Sequence, residues 1–164
     1  MDKRWGVAAR DALVSGTLAA AASTAALAVA GRIETGSAVA PTNAISHWVY
    51  GDRAARQDAP SVRHTLLGYG IHHGASVFWA AAFERLFGRQ TERGRLGSAI
   101  AGGLAVAALA CFVDYKLTPR RLQPGYEMRL SRPSLAAVYA MFGLGLAAGA
   151  LVNARVKARS ARAA

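Results

Sequence analysis

Four times along the chain, an apolar run gives way to a short basic segment. Ala12 to Gly31 passes twenty residues without a charge, Leu96 to Val113 another eighteen, and Ser134 to Val152 is again uncharged. A helix needs about 20 predominantly apolar residues to cross a bilayer. Between the first two runs lies Pro60 to Gly88, less apolar and with no proline after Pro60. Ser61 reads there as an N-cap and Gly88 as a C-terminal stop, which predicts one long helix. The pattern therefore predicts a single all-α domain, an integral membrane four-helix bundle with two polar outer loops. Its crossings are expected at residues 12–31, 64–87, 96–113 and 134–152.

The connections carry further structure. Arg32 to Arg63 is a long polar link, and links of that length usually hold structure or function. Within it, Pro41 to Gly51 reads as a short helix capped by Thr42 or Asn43 and ended by Gly51, with Ile45, Trp48 and Val49 at headgroup level. Gly88 to Arg95 is a tight basic turn. Asp114 to Pro133, with three prolines and a glycine, is a loop, and Ser131 is placed as the cap of the last helix. Asn153 to Ala164 is expected to fray. Small residues at Gly16, Ala20, Thr24 and Ala28, and the pair Gly145 and Gly149, mark faces where helices approach closely. Ala28-Val29-Ala30 resembles a signal cleavage site, but the apolar run exceeds a signal core, so a retained helix is expected.

Charge then narrows the partners. Twenty Lys and Arg against nine Asp and Glu give a net +11. Such a balance would suit nucleic acid, but the basic residues fall between apolar runs and not along one helical face, so no nucleic-acid partner is expected. Basic loops flanking apolar segments are what membrane insertion produces. The expected partner is the lipid bilayer, with a second membrane protein or another copy of the chain as further candidates. Lys3, Arg4, Arg10, the turn arginines and the tail's basic residues crowd short segments on one side, which predicts both termini in the cytoplasm. Cys111 is the single cysteine and permits no internal disulfide.

The candidate chemistry lies on the other side. All four histidines and all five tyrosines map to the outer loops or the outer half of the crossings. The candidate polar cluster comprises His47, His64, Tyr69, His72, His73, Asp114, Tyr126 and Glu127. His72 lies roughly 10 Å deep at the helical rise of 1.5 Å per residue, and ionisable groups at depth point to function. Neighbouring His72 and His73 diverge by about 100° and cannot share one partner. One of them is expected to approach Asp114, Tyr115, Tyr126 or Glu127. Partner binding or pH sensing at this cluster is the leading function. A transporter or channel subunit with a polar path through His72, His73 and Glu84 is the alternative, and a membrane metal- or haem-binding component a third. Neither cofactor is expected: the other crossings hold no histidine to face His72, and no His-x3-His or Cys-x2-Cys spacing occurs. Glu84 itself is expected to pair with Arg85 or Arg89 in the headgroup zone. No G-x-S-x-G, phosphate-cradling loop or H-E-x-x-H occurs, so no catalytic residue is assigned.

The loop residues Leu117-Thr118-Pro119, Pro124 and Tyr126-Glu127, and His72, Ser76 and Ala80 at spacing four, carry a resemblance. They resemble the corresponding loop and helix of the YagU-type bacterial inner-membrane proteins. The first polar loop here is shorter than that family's. The resemblance implies an inner-membrane location and a domain without an assigned activity, and it supplies no catalytic residues.

Overall fold

The structure is a computed structural model that describes residues 3–163, and every described element is helical. Six α-helices follow one another: α1 Trp5–Thr35, α2 Ala40–Ile45, α3 His47–Tyr50, α4 Leu67–Glu92, α5 Leu96–Phe112 and α6 Arg132–Ala163. Single π-helical turns precede α4 (Val62–Leu66) and follow α5 (Val113–Leu117), and short 3-10 turns occupy the loops. Three helical stretches, Trp5–Thr35, Leu96–Leu117 and Arg132–Ala163, are long and apolar enough to cross a membrane. The expected second crossing, 64–87, is helical but falls short of that apolarity, because His72, His73, Glu84 and Arg85 interrupt it.

The four long helices alternate in direction. Gly16 of α1 meets Val77 of α4, while Lys3 meets Glu84, so these two run antiparallel. On the other flank of α1, Gly145 and Gly149 of α6 face Ala19 and Ser15. A methyl group built on Gly145 would come within 2.5 Å of the Ala19 backbone, so the backbones touch through the missing side chains, as the GxxxG pair predicts. The α1 stripe is only half as expected. Gly16 and Ala20 are buried but Thr24 and Ala28 are only partly so, and the buried line passes instead through Ser23, Leu27 and Ala30. Spacing four lags the 3.6-residue turn, so a strict stripe drifts off the contact face.

The helix ends correct several expectations. Gly88 does not stop α4, which runs on to Glu92 and turns at Gly94 with φ 77°. Gly88 is buried because Lys3 and Glu84 pass where its side chain would be. The tail is helical to Ala163, with Asn153 and Lys157 bonded to Asp11, and Ala164 lies outside the described residues. Thr42 and Asn43 do not cap the short helix. Asn43 is fully buried and donates to the carbonyls of Gln57 (2.8 Å) and Ala59 (3.0 Å), clamping the long link shut. Ile45 is buried against Leu27 and Ala30 of α1 and not at a headgroup surface, whereas Val49 is exposed. At the start of α6 the anion comes from afar. The Glu34 carboxylate accepts the Ser131 N–H (2.7 Å) and the Ser131 and Ser134 hydroxyls, where the positive helix end favours it.

Replacing Gly149 by Leu is expected to cost roughly 1–3 kcal/mol, the usual penalty of overpacking, read as a lower unfolding midpoint in detergent. Gly97→Ala, whose added methyl group meets nothing within 4 Å, should leave the midpoint unchanged or slightly raised. Equal midpoints for Gly149→Leu and the parent would remove the α1–α6 seam from this account.

Candidate functional site

Two polar layers lie at opposite ends of the long helices, with an apolar layer between them. The layer near the loops is built on α4. His72 Nε2 lies 2.8 Å from Ser23 Oγ, and His73 Nε2 lies 2.9 Å from Thr17 Oγ1, both on α1. The two rings diverge as adjacent helical positions must, yet both reach the same neighbouring helix. His72 also stands edge-on to Tyr126, ring centres 6.4 Å apart, and Tyr69 stacks on His73 at 5.9 Å. Tyr126 continues to Tyr139 (6.4 Å) and Tyr139 to Tyr115 (6.2 Å). The Tyr139 hydroxyl donates to Asp114 Oδ2 at 2.6 Å. Glu127 accepts the Gly125 N–H at 2.7 Å, with the Tyr115 hydroxyl at 3.5 Å. Burial pushes the Tyr126 phenol above its ordinary range, so it stays protonated and neutral.

A cavity of about 570 Å³ opens between α4 and α5 against α6, beneath the loops. His72, Asp114 and Tyr126 line it, together with Ser23 and Tyr139, and the rest of its wall is mostly apolar. The other sequence candidates lie elsewhere. His47 is buried, with Nε2 2.8 Å from the Gln123 carbonyl. His64 Nδ1 lies 2.9 Å from Ser46 Oγ and its ring meets Tyr50 edge-on. These two secure the loops to one another. Among the described residues, no three His, Cys, Asp or Glu side chains converge as metal ligands would.

The second polar layer sits where both chain ends meet the α4–α5 turn. Glu84 is fully buried and does not pair with Arg85 or Arg89 as expected. Its carboxylate receives Lys3 Nζ at 2.6 Å and Asn153 Nδ2 at 3.1 Å. The physical reason is rotational: Glu84 faces α1 and α6, while Arg85, one position on, stands over the Trp5 ring at 5.7 Å. Lys3 Nζ also contacts Asp11 (2.7 Å) and Glu92 (3.2 Å), and Lys157 pairs with the same two carboxylates at 2.5 and 2.7 Å. Burial pulls the Lys3 ammonium down, but Asp11 and Glu84 outweigh it and hold the group above its ordinary value. Burial lifts Glu92, and Lys157 with Lys3 bring it below its ordinary value.

His72 and Glu84 are twelve positions apart, roughly 18 Å along a helix. Between their levels pack Ala80, Phe83, Val106, Phe142 and Leu146, so the cavity ends before Glu84 and, among the described residues, no polar path joins the layers. Sequence reasoning missed Ser23, Thr17, Lys3, Asp11, Asn153 and Lys157. A hydroxyl inside an apolar run was a usable sign for the first two, because hydroxyls there commonly bond across helices. No family model matches the chain, and no curated protein or solved structure proves similar to it.

Removing one partner of a buried ion pair typically costs about 3–5 kcal/mol, so Lys3→Met should lower stability by that order and Lys3→Met with Glu84→Gln should recover much of it. The pH response follows from the shifts. The contribution of Glu92 is present above its ordinary 4.5 and lost as pH falls through its depressed folded value. That of Lys3 is present below its ordinary 10.5 and lost as pH rises through its raised folded value. Thermal melts across pH should show both limbs, and Lys3→Met should abolish its share of the alkaline one. An unchanged alkaline limb would mean that Lys3 is not held in this network.

Proposed function

We propose that this chain is a small non-enzymatic multi-pass protein of a bacterial cytoplasmic membrane, a four-helix bundle that holds a ligand in an outward-facing cavity between α4 and α5. The observation that carries the reading is the cavity of about 570 Å³. It lies within the size range of small-molecule sites and has their character, apolar walls with a few convergent polar groups.

Three of the long helices have the length and apolarity of crossings. In this reading α4 is the remaining one, tolerated because its polar groups find partners inside the protein. His72 meets Ser23, His73 meets Thr17, the Ser76 hydroxyl donates to the His72 carbonyl at 2.8 Å, and Glu84 meets Lys3. Polar side chains are carried through a bilayer under that condition. The extensive packing of α1 against α4 and α6 supports its retention as a crossing. Arg89, Arg93 and Arg95 crowd the short turn beside both chain ends, which favours a cytoplasmic position for that end. The loops and the cavity mouth then face outward. The apolar layer between His72 and Glu84 argues against transport through the bundle. The resemblance to the YagU-type proteins fits the same placement, since it rests on loop and α4 residues around this cavity.

Single cysteines in a Cys111→Ala background test the orientation. With a membrane-impermeant maleimide on intact cells, Thr118→Cys should label from outside and Arg93→Cys only after permeabilisation. The reverse pattern would place the cavity mouth in the cytoplasm and overturn the proposal as stated.

A further inference from the structure

The large cavity has a charge character that the rest of the chain does not share. The protein carries a net +11, yet among the described residues no Lys or Arg lines this cavity, and Asp114 is its one acidic side chain. The smaller cavity at the opposite end, about 360 Å³, is lined by Lys3, Arg4, Arg89, Arg93 and Lys157 with Glu92. Of the basic residues in the loop over the mouth, Arg121 donates to the His47 carbonyl and Arg129 pairs with Asp58 at 2.6 Å, while Lys116 and Arg120 stand outside the cavity lining.

Around Asp114 the walls are aromatic: Trp48, Phe78, Trp79, Tyr126, Tyr139 and Phe142. Ring faces attract cations, more strongly once water is displaced. A carboxylate set in an apolar wall attracts a cation with less screening than it would in bulk water. Tyr139 holds Oδ2 and so fixes the aim of the carboxylate. A phospholipid headgroup would bring a phosphate that meets no Lys or Arg here, and an anionic amphiphile would be repelled by Asp114.

We infer that the cavity is a binding site for lipophilic monocations, molecules that carry one quaternary or delocalised positive charge within an aromatic or alkyl shell. This deepens, and rests on, the reading of the cavity as a ligand site. Asp114 supplies the counter-charge, the aromatic rings supply the walls, and His72, held by Ser23, lines the side toward α1.

Tetraphenylphosphonium and tetraphenylborate, matched in shape and opposite in charge, test the inference. Equilibrium dialysis uses the full chain in lipid nanodiscs, with empty nanodiscs as the reference for partition into lipid. Neutral N-phenyl-1-naphthylamine serves as a separate probe of the cavity. The phosphonium should bind saturably and the borate should not exceed the empty-disc background. Asp114→Asn keeps an acceptor for Tyr139 but removes the charge. It should weaken phosphonium binding about tenfold or more, the order expected for one charged contact, and leave the naphthylamine unaffected. Asp114→Glu should restore most of the phosphonium affinity. Gly74→Leu places a side chain in the cavity from a position with open space around it, and should abolish binding of both probes. Equal binding of both ions, indifferent to Asp114→Asn, would overturn the cation inference, while loss of naphthylamine binding in Gly74→Leu would leave the ligand-site reading standing. Absence of naphthylamine binding, or binding indifferent to Gly74→Leu, would overturn both.

Discussion

The rest of the structure depends on the antiparallel seam between α1 and α4. α4 is the long helix without a stretch apolar enough to cross a membrane by itself, and its histidines and Glu84 are tolerable inside the protein only because α1 and the segment before it answer them. Ser23, Thr17 and Lys3 supply the partners in register. Leaving one such group unpaired in the interior costs more than the bond contributes when made. The seam is therefore a constraint as much as an attraction. Sliding α1 by one turn would strand two imidazoles and a carboxylate at once.

The seam also sets the shape of the cavity. α1 presents small residues to α6 and α4 together, so those two helices are drawn against it and against one another. α5 then packs on α6 through Gly103 and Gly143, and meets α4 through Phe87 over Gly102 near the basic turn. Near the other end, α4 and α5 enclose a space that no helix fills. The loops roof that space with Trp48, Leu122, Pro124 and Tyr126. Close packing at one end and an open crevice at the other follow from where the small residues lie.

Much of the architecture was legible because it is written in single runs. The uncharged stretches around α1, α5 and α6 read as crossings without reference to anything distant, and Gly145 and Gly149 announced a close contact. What was not legible depends on long separations. Glu84 and Lys3 are 81 positions apart, and nothing in a leader of mixed charge reveals that it folds into the core. Gly88 shows a second limit, since a glycine that stops a helix and one that admits a neighbour's side chain look alike in sequence. Asn43 shows a third: a plausible cap was in fact a clamp on the following link. In the candidate site, His72, Asp114 and Tyr126 line one cavity. His47 and His64 belong to the same end but were recruited to fasten loops.

The central claim is that α4 lies in lipid despite its polar residues, because those residues point inward. Leu86, exposed at 52% on α4 and outside the cavity lining, gives the most direct measurement. A nitroxide at Leu86→Cys, in a Cys111→Ala background reconstituted into bilayers, reports its collision rates with oxygen and with a water-soluble nickel chelate. The account predicts high oxygen and low nickel accessibility, as for a lipid-facing site. High nickel accessibility would place α4 in water and contradict it.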